Sequence, residues 1–151
     1  MFACVSRSSV VLTLSVGLCA SHPAWSQGTE PLPPSLSGKW TYVPPNGRTY
    51  NDAWSVQFEG TPAGGAIKGK VNWRGRGCGA QDEPVNAQWD GVELRFRFIA
   101  RPNVNASVPN SPSCGEGTTD VVLRRKPGGT SFEGQASFNH GAAIIEVSAA
   151  P

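Results

Sequence analysis

Few residues of this chain have the type and spacing that catalysis usually needs. His140 is the one histidine beyond the N-terminal segment, and it stands in an Asn-His-Gly turn. Because nucleophilic triads and most metal sites depend on histidine, this turn predicts a structural or solvent-exposed side chain. We therefore expect no metal ion, no cofactor and no catalytic histidine, which leaves carboxylate chemistry as the remaining route to an enzyme.

Two pairs of neighbouring acids could serve a hydrolase. Asp82 and Glu83 stand before Pro84, while Glu116 and Asp120 flank a glycine-containing stretch. A pair of carboxylates can divide the acid and base roles of a glycosidase. Both pairs, however, stand where solvated charges are common, and no motif connects them. An enzyme is therefore the weakest functional hypothesis that the sequence supports.

Aromatic side chains are better candidates for a site. Three tryptophans fall on predicted strand faces, where they would either line a cavity or simply fill the core of a small barrel. Two tyrosines flank a loop that begins with Pro-Pro, with an asparagine and an arginine beside them, and such a mixture at a loop end suits sugar or peptide recognition. The predicted ligand site comprises Tyr42, Asn46, Arg48, Tyr50, Trp54, Trp73 and Trp89.

Arginine is concentrated around the middle of the chain, and Arg95 and Arg97 share the polar face of one predicted strand. They could form a basic patch for an acidic partner, or they could be ordinary solvated charges beside Glu93. The net charge of the whole chain is only +2, which gives no electrostatic basis for nucleic-acid binding. The expected partner is a small molecule or another protein.

The first residues have the order of a secretory signal. Arg7 precedes an apolar run over 10–20, and small residues lead up to a cleavage site after Ser26. The apolar run is about half of what a bilayer span needs, so we expect a secreted or periplasmic mature chain with no membrane span. The predicted division is a signal peptide at 1–26, a proline-rich lead-in at 27–35 and a single β-barrel domain at 36–151.

Two cysteines remain after the predicted cleavage, Cys78 and Cys114. Two cysteines in an exported protein most often form a disulfide, which here would stabilise the fold by about 2–4 kcal/mol. A structural zinc ion needs four Cys or His ligands, and these two cysteines with His140 do not supply them. The sequence therefore predicts a disulfide and no metal site.

From Leu36 onward, short alternating runs are separated by turns rich in Gly, Pro and Asn, with no helical period. The predicted fold is all-β, an antiparallel up-and-down meander of about eight strands that forms a closed barrel or a sandwich. An outer-membrane barrel is disfavoured because the strands are short and their polar faces carry Lys, Arg and Glu. The predicted strands are Leu36–Val43, Ala53–Glu59, Ile67–Trp73, Val85–Trp89, Val92–Phe98, Thr119–Lys126, Phe132–Phe138 and Ala142–Ser148.

Turn residues also predict two hairpin registers. An Asp-Gly dipeptide at 90–91 suits a two-residue turn, which sets Trp89 opposite Val92. A Pro-Gly turn later in the chain sets Leu123 opposite Phe132. In both hairpins apolar residues then meet apolar residues, so the two registers are self-consistent.

The opening strand carries Gly38-x-Trp40 inside the hexapeptide Leu-Ser-Gly-Lys-Trp-Thr. This opening resembles that of the calycins, the barrel group that includes lipocalins and avidins. The two cysteines are also placed as in some bacterial avidins, one in a glycine-rich loop after the third strand and one in a later loop. The resemblance implies a barrel that holds a small molecule. It does not imply a biotin site, because Phe132-Glu133-Gly134 stands where avidins have Trp-Thr-Gly.

Three functional hypotheses result. The first is an exported, non-catalytic binding protein whose calycin-like barrel holds a small apolar or amphipathic ligand. The second is a periplasmic or secreted protein-binding module or inhibitor that acts through the loops at Pro44–Asn51 and Arg101–Cys114. The third is a small hydrolase that depends on carboxylates.

Overall fold

A computed structural model describes residues 30–45, 47–75, 77–102, 116–139 and 141–150. Each of eight antiparallel strands pairs with the next, and the first pairs with the last, so the sheet closes into a barrel. The predicted all-β meander is confirmed, and the barrel is the correct alternative to the sandwich. Within the described ranges, no helix has the length and apolar character to cross a membrane. The strands are β1 (Ser35–Tyr42), β2 (Tyr50–Phe58), β3 (Gly65–Arg74), β4 (Cys78–Trp89), β5 (Glu93–Pro102), β6 (Gly117–Arg125), β7 (Ser131–Phe138) and β8 (Gly141–Ala149).

The barrel interior is filled by alternate residues of every strand. On β2, for example, Trp54, Val56 and Phe58 are buried while the residues between them are more exposed. Successive side chains of a strand point to opposite faces, so this alternation places one apolar face inside. An eight-stranded barrel is just wide enough for side chains to fill. The largest fully buried rings are Trp40, Trp54, Trp89, Phe98 and Phe132.

The hairpin between β4 and β5 has a different register from the predicted one. Trp89 faces Leu94 rather than Val92. The loop is wider than a two-residue turn because the Asp90 carboxylate accepts hydrogen bonds from the backbone N–H groups of Val92, at 2.9 Å, and Glu93, at 2.6 Å. The side chain thereby completes the turn that the backbone alone was expected to make.

The hairpin between β6 and β7 departs in the same way. Leu123 faces Gly134 rather than Phe132. The Lys126 N–H donates to the Ser131 carbonyl oxygen at 2.9 Å, which encloses a four-residue loop. Both registers are shifted by two residues, an even number, so the same side chains still face the interior. The predicted buried faces are therefore correct although the predicted partners are wrong.

Two glycines allow neighbouring strands to approach closely. A Cβ atom built on Gly38 of β1 would lie 2.1 Å from the carbonyl oxygen of Glu146 on β8. A Cβ atom on Gly134 of β7 would lie 1.9 Å from the carbonyl oxygen of Val122 on β6. No side chain fits either space, so glycine is required where the sheet bends to close.

A bulge lets β4 begin at Cys78, earlier than predicted. Val71 of β3 faces Glu83 and Trp73 faces Ala80, so β4 has one more residue than β3 between these pairs. Asp82, within the extra length, adopts a left-handed conformation with φ 47°. A bulge of this kind re-aims the side chains on either side of it, and here it turns both Ala80 and Glu83 inward.

The lead-in closes one end of the barrel, here named the sealed end. Leu32 is 0% exposed although it precedes the first strand. Arg125, the last residue of β6, donates to the Pro31 carbonyl oxygen at 2.7 Å. Its guanidinium carbon lies 5.0 Å from the centroid of the Trp89 ring, within the range of a cation–π contact. The segment 30–34 therefore packs onto the barrel without joining the sheet.

Candidate functional site at the mouth of the barrel

The end opposite the sealed end, here named the mouth, is where β1 ends and β2 begins. Tyr42 and Tyr50 are direct partners in the ladder between these strands, and their rings stack with centroids 6.4 Å apart. Both side chains are half-buried. The two tyrosines that flank the first loop in the sequence thus form one aromatic surface at the mouth.

This surface continues inward as a stack of rings. Trp40 and Trp73 stack with centroids 4.6 Å apart, and Trp73 meets Phe98 edge to face at 6.4 Å. Phe138 meets Tyr42 edge to face at 5.3 Å. Such offset and edge contacts are the favoured arrangements of aromatic pairs. The mouth cluster consists of Trp40, Tyr42, Tyr50, Trp73, Phe98 and Phe138.

Trp73 has an unpaired hydrogen-bond donor in this cluster. Its Nε1 atom is buried and has no acceptor within the described residues, and the same is true of Trp54 and Trp89. Leaving a buried donor unpaired costs on the order of 1–3 kcal/mol. Trp54 and Trp89 are almost completely buried, whereas Trp73 is half-buried at the mouth. Trp73 is therefore the one of these three that a ligand at the mouth would reach first.

The structure brings together most of the described residues predicted to bind a ligand and separates one tryptophan from them. Tyr42, Tyr50 and Trp73 share the mouth. Trp54 is buried at 2% exposure, and its ring stacks on Phe96 with centroids 6.0 Å apart. Trp54 and Trp73 face each other in the ladder between β2 and β3 and border the same cavity of about 910 Å³. Trp89 lies apart from them at the sealed end, under Arg125.

The remaining predicted positions lie on loops of the mouth or beyond the described residues. Arg48 is exposed in the loop between β1 and β2, and Asn46 in the same loop is outside the described residues. Cys78 opens β4 and is not a free thiol. Cys114 and most of Arg101–Cys114 fall outside the described ranges, so the disulfide pairing and the binding role of that loop stay predictions.

Three members of the mouth cluster were not predicted as site residues. Trp40, Phe98 and Phe138 fall on the apolar faces of β1, β5 and β7, which marked them only as core residues. Their place at the mouth depends on which end of the barrel each residue lies nearer to, and that follows from the closed topology. The Trp40–Phe138 ring contact, with centroids 6.0 Å apart, joins strands at opposite ends of the domain sequence.

The acidic pair at positions 82 and 83 is divided by the bulge. Glu83 is 8% exposed and pairs with Arg101, so its predicted place as a solvated charge is wrong. Asp82 remains exposed, where its N–H donates to the Asn72 side-chain oxygen at 3.0 Å. The Nε atom of Arg101 also lies 3.7 Å from the carboxylate of Glu116. The two neighbouring acids therefore point to opposite faces of the sheet.

The predicted basic patch on β5 is locally balanced by acids. Arg97 lies 2.7 Å from the Asp120 carboxylate, and this hydrogen bond raises the pKa of Arg97 above its usual range. Arg95 pairs with Glu93, which also accepts from Arg124 at 3.1 Å. The hydrogen bond from Arg124, followed by that from Arg95, lowers the pKa of Glu93. Both arginines of the patch thus already have a carboxylate partner.

In the described part of the chain, no group of three or more His, Cys, Asp or Glu side chains could hold a metal ion. In comparisons with known proteins, no family model, no curated protein and no solved structure matches the chain. The geometry of the barrel and its mouth therefore carries the functional argument.

Proposed function

We propose that this protein is an exported, non-catalytic binding protein, and that its calycin-like barrel holds a small apolar or amphipathic molecule at the mouth. The observation that carries the proposal is the difference between the two ends. At the sealed end, Leu32 and Arg125 cover the rings below them. At the mouth, the side chains of Tyr42, Tyr50 and Trp73 are only half-buried.

The chemistry of the mouth suits an amphipathic ligand. Half-buried rings provide apolar contact area at little cost in side-chain entropy. The half-buried ring of Trp73 would add to this contact area, and its unpaired Nε1–H, which is buried, would donate to an acceptor atom of the ligand after a shift of the surrounding rings. Binding sites for small molecules are generally apolar surfaces with a few polar groups that fix orientation, and the mouth has this composition.

The engaged carboxylates favour binding over turnover. Glu83 and Glu116 both contact Arg101, and Asp120 is bonded to Arg97. Each of these acids is engaged by an arginine, as in a structural ion pair, and this supports a role without catalysis.

The first test is native mass spectrometry of the protein recovered from the periplasm or medium of its own host, followed by denaturing mass spectrometry of the same sample. We expect an additional mass that disappears on denaturation, and a chain mass that begins at Gln27. The same spectra report the state of the two cysteines.

A binding assay with 1-anilinonaphthalene-8-sulfonate, an amphipathic anion, tests the location. Energy transfer from tryptophan to the bound dye is measured for the parent protein, Tyr50→Ala, Trp73→Phe and Trp89→Phe. We expect weaker binding for the two mouth variants and unchanged binding for Trp89→Phe at the sealed end, with near-ultraviolet circular dichroism confirming the fold. Equal binding by all variants, together with a clean apo mass, would refute the proposal.

A further inference from the structure

The outer face of β3 carries a row of cations that form no ion pair with any acid in the part of the chain that the structure describes. Lys68, Lys70 and Arg74 are all exposed and lie at alternate positions with Asn72 between the last two. No ion pair joins these three cations to an acid within the described residues. We name Lys68, Lys70, Asn72 and Arg74 the β3 stripe.

The cations on the outer surface of β5 and β6 differ from those of the stripe, because they have acidic partners. Arg95, Arg97 and Arg124 are each bonded to a carboxylate, as is Arg125 at the sealed end. The small net charge of the chain therefore conceals an uneven distribution, in which the acids balance the cations of β5 and β6 but leave those of β3 unbalanced. Surface potential depends on such local excess rather than on the net charge.

Two acids lie close to the stripe, and neither forms an ion pair with its cations. The Asp82 carboxylate accepts from the Asn72 amide at 3.4 Å, and the Asp82 N–H donates back to Asn72. Glu59 lies at the end of the stripe, where its N–H donates to the Lys68 carbonyl oxygen at 2.9 Å. Neither carboxylate forms an ion pair with Lys68, Lys70 or Arg74, so these cations keep their attraction for an external anion.

A groove runs beside the end of the stripe nearest the mouth. It has a volume of about 910 Å³ and is lined by residues of β1 to β5, including the rings of Trp54 and Trp73. Its lining also contains the small residues Ser37, Ala53 and Ser55, together with Asn72 and Arg74 of the stripe. Small side chains let the backbone of a partner approach the sheet closely, and none of the described residues that line the groove is an acid.

We propose that the groove and the β3 stripe together bind an extended peptide segment that carries Asp or Glu at alternate positions. Outward side chains of a strand repeat every two residues, which is roughly 6.6 Å along the chain. An extended peptide laid along β3 repeats its own side chains at the same interval. Alternating acids would therefore face Lys68, Lys70 and Arg74 in register, while hydroxyl and amide groups of the groove bond to the peptide backbone.

The unpaired cations of the stripe favour an acidic peptide over a neutral sugar chain, because a neutral sugar offers no charge to them. Lys68, Lys70 and Arg74 do not belong to the mouth cluster, so their substitution tests this surface separately from the mouth. The two proposals can therefore fail separately.

The test uses two fluorescently labelled decapeptides, one of alternating Glu and Ser and one of alternating Gln and Ser, with binding measured by fluorescence anisotropy. The stripe variant is Lys68→Gln/Lys70→Gln/Arg74→Gln in the full mature chain. The matched control is Arg95→Gln/Arg97→Gln, which removes two outward cations of the same spacing whose partners are already acids. Thermal melting confirms that both variants fold.

We expect the acidic peptide to bind at low salt, to bind more weakly as salt rises, and to bind about tenfold more weakly to the stripe variant, because exposed charge contacts are individually modest. The β5 control should retain binding. The proposal is refuted if both variants lose binding equally, if the Gln peptide binds as well as the Glu peptide, or if nothing binds at low salt. Preferential competition by a sulfated polysaccharide would refute the assignment to a peptide.

Discussion

Truncation of Leu32 tests whether the lead-in is part of the folded domain. The side chain is 0% exposed, and its own N–H donates to the Pro62 carbonyl oxygen at 3.0 Å. Replacing a buried Leu by Ala costs about 2–5 kcal/mol, the sum of lost burial and the cavity that remains. Because the lead-in forms no ladder with the sheet, it can detach locally, and this limits the loss. We therefore expect Leu32→Ala to lower the free energy of unfolding by about 2–3 kcal/mol.

The assay is urea unfolding of the mature chain, followed by tryptophan fluorescence and by circular dichroism. At this chain length, the expected loss corresponds to a fall in melting temperature of roughly 8–12 °C. Val43→Ala is the matched control, because Val43 is 54% exposed in a loop at the mouth. Its truncation should change the stability by less than about 0.5 kcal/mol.

The refuting result is a Leu32→Ala variant as stable as the Val43→Ala control. It would mean that the lead-in contributes nothing to the domain and that Arg125 alone covers the sealed end. A midpoint that falls while the slope of the transition stays unchanged would show a loss of stability with no change in the surface exposed on unfolding.

Three further predictions concern the closure of the sheet, acid stability and the cysteines. Gly38→Ala should lower the free energy of unfolding, measured in urea, by about 1–3 kcal/mol, because its Cβ would lie 2.1 Å from a carbonyl oxygen. Gly129→Ala is the control and should be almost neutral, because its Cβ would have no neighbour closer than 3.8 Å. Contacts with Arg124 and Arg95 lower the pKa of Glu93 below its ordinary value of 4.5. The contribution of the ionised Glu93 side chain to folding stability is therefore present above that value and is lost as the pH falls toward the folded pKa. Glu93→Gln should accordingly show a shallower loss of stability on acidification, and an unchanged slope would contradict this. Reduction of the predicted Cys78–Cys114 disulfide should lower the melting temperature, and no change with both thiols shown free would exclude the bond.

The fold could be predicted because the alternation of apolar and polar residues identifies the buried face of a strand even when its cross-strand partners are predicted wrongly. The faces carrying Trp89 and Leu123 were assigned correctly although their cross-strand partners were displaced by two residues. The displacement arose from turn chemistry: the Asp90 side chain accepts two backbone N–H groups and widens its loop. A dipeptide pattern predicts that a turn exists, but it does not contain the side-chain hydrogen bonds that set the turn's length.

The bulge in β4 could not be predicted from the sequence, and the reason is different. Its left-handed residue is Asp82 rather than a glycine, so no residue type marks it. The conformation is held by Asn72 on the neighbouring strand, a contact that exists only after the strands pair. The buried position of Glu83, its ion pair with Arg101 and the early start of β4 all depend on that contact.

The candidate site could be predicted only in part. The residue type and strand face of an aromatic side chain do not show how far along the barrel axis it lies. Trp54, Trp73 and Trp89 are equivalent by alternation, yet Trp54 and Trp73 face each other across β2 and β3 while Trp89 lies at the sealed end. The sealed end is defined by the lead-in with the buried Leu32, in a segment that the sequence analysis placed outside the domain.

The filled interior directs recognition to the mouth and the outer surface. Stacked rings occupy the space within the barrel, as the contacts of Trp54 with Phe96 and of Trp40 with Trp73 illustrate. Partners are then met by the half-buried rings of the mouth or by unbalanced charge on the outside of β3. The mouth should respond to ring substitutions and little to salt, whereas the β3 stripe should respond to salt and to charge removal. Measuring both kinds of binding on the Tyr50→Ala variant and on the stripe variant therefore separates the two surfaces, because each variant should weaken one kind of binding and leave the other unchanged.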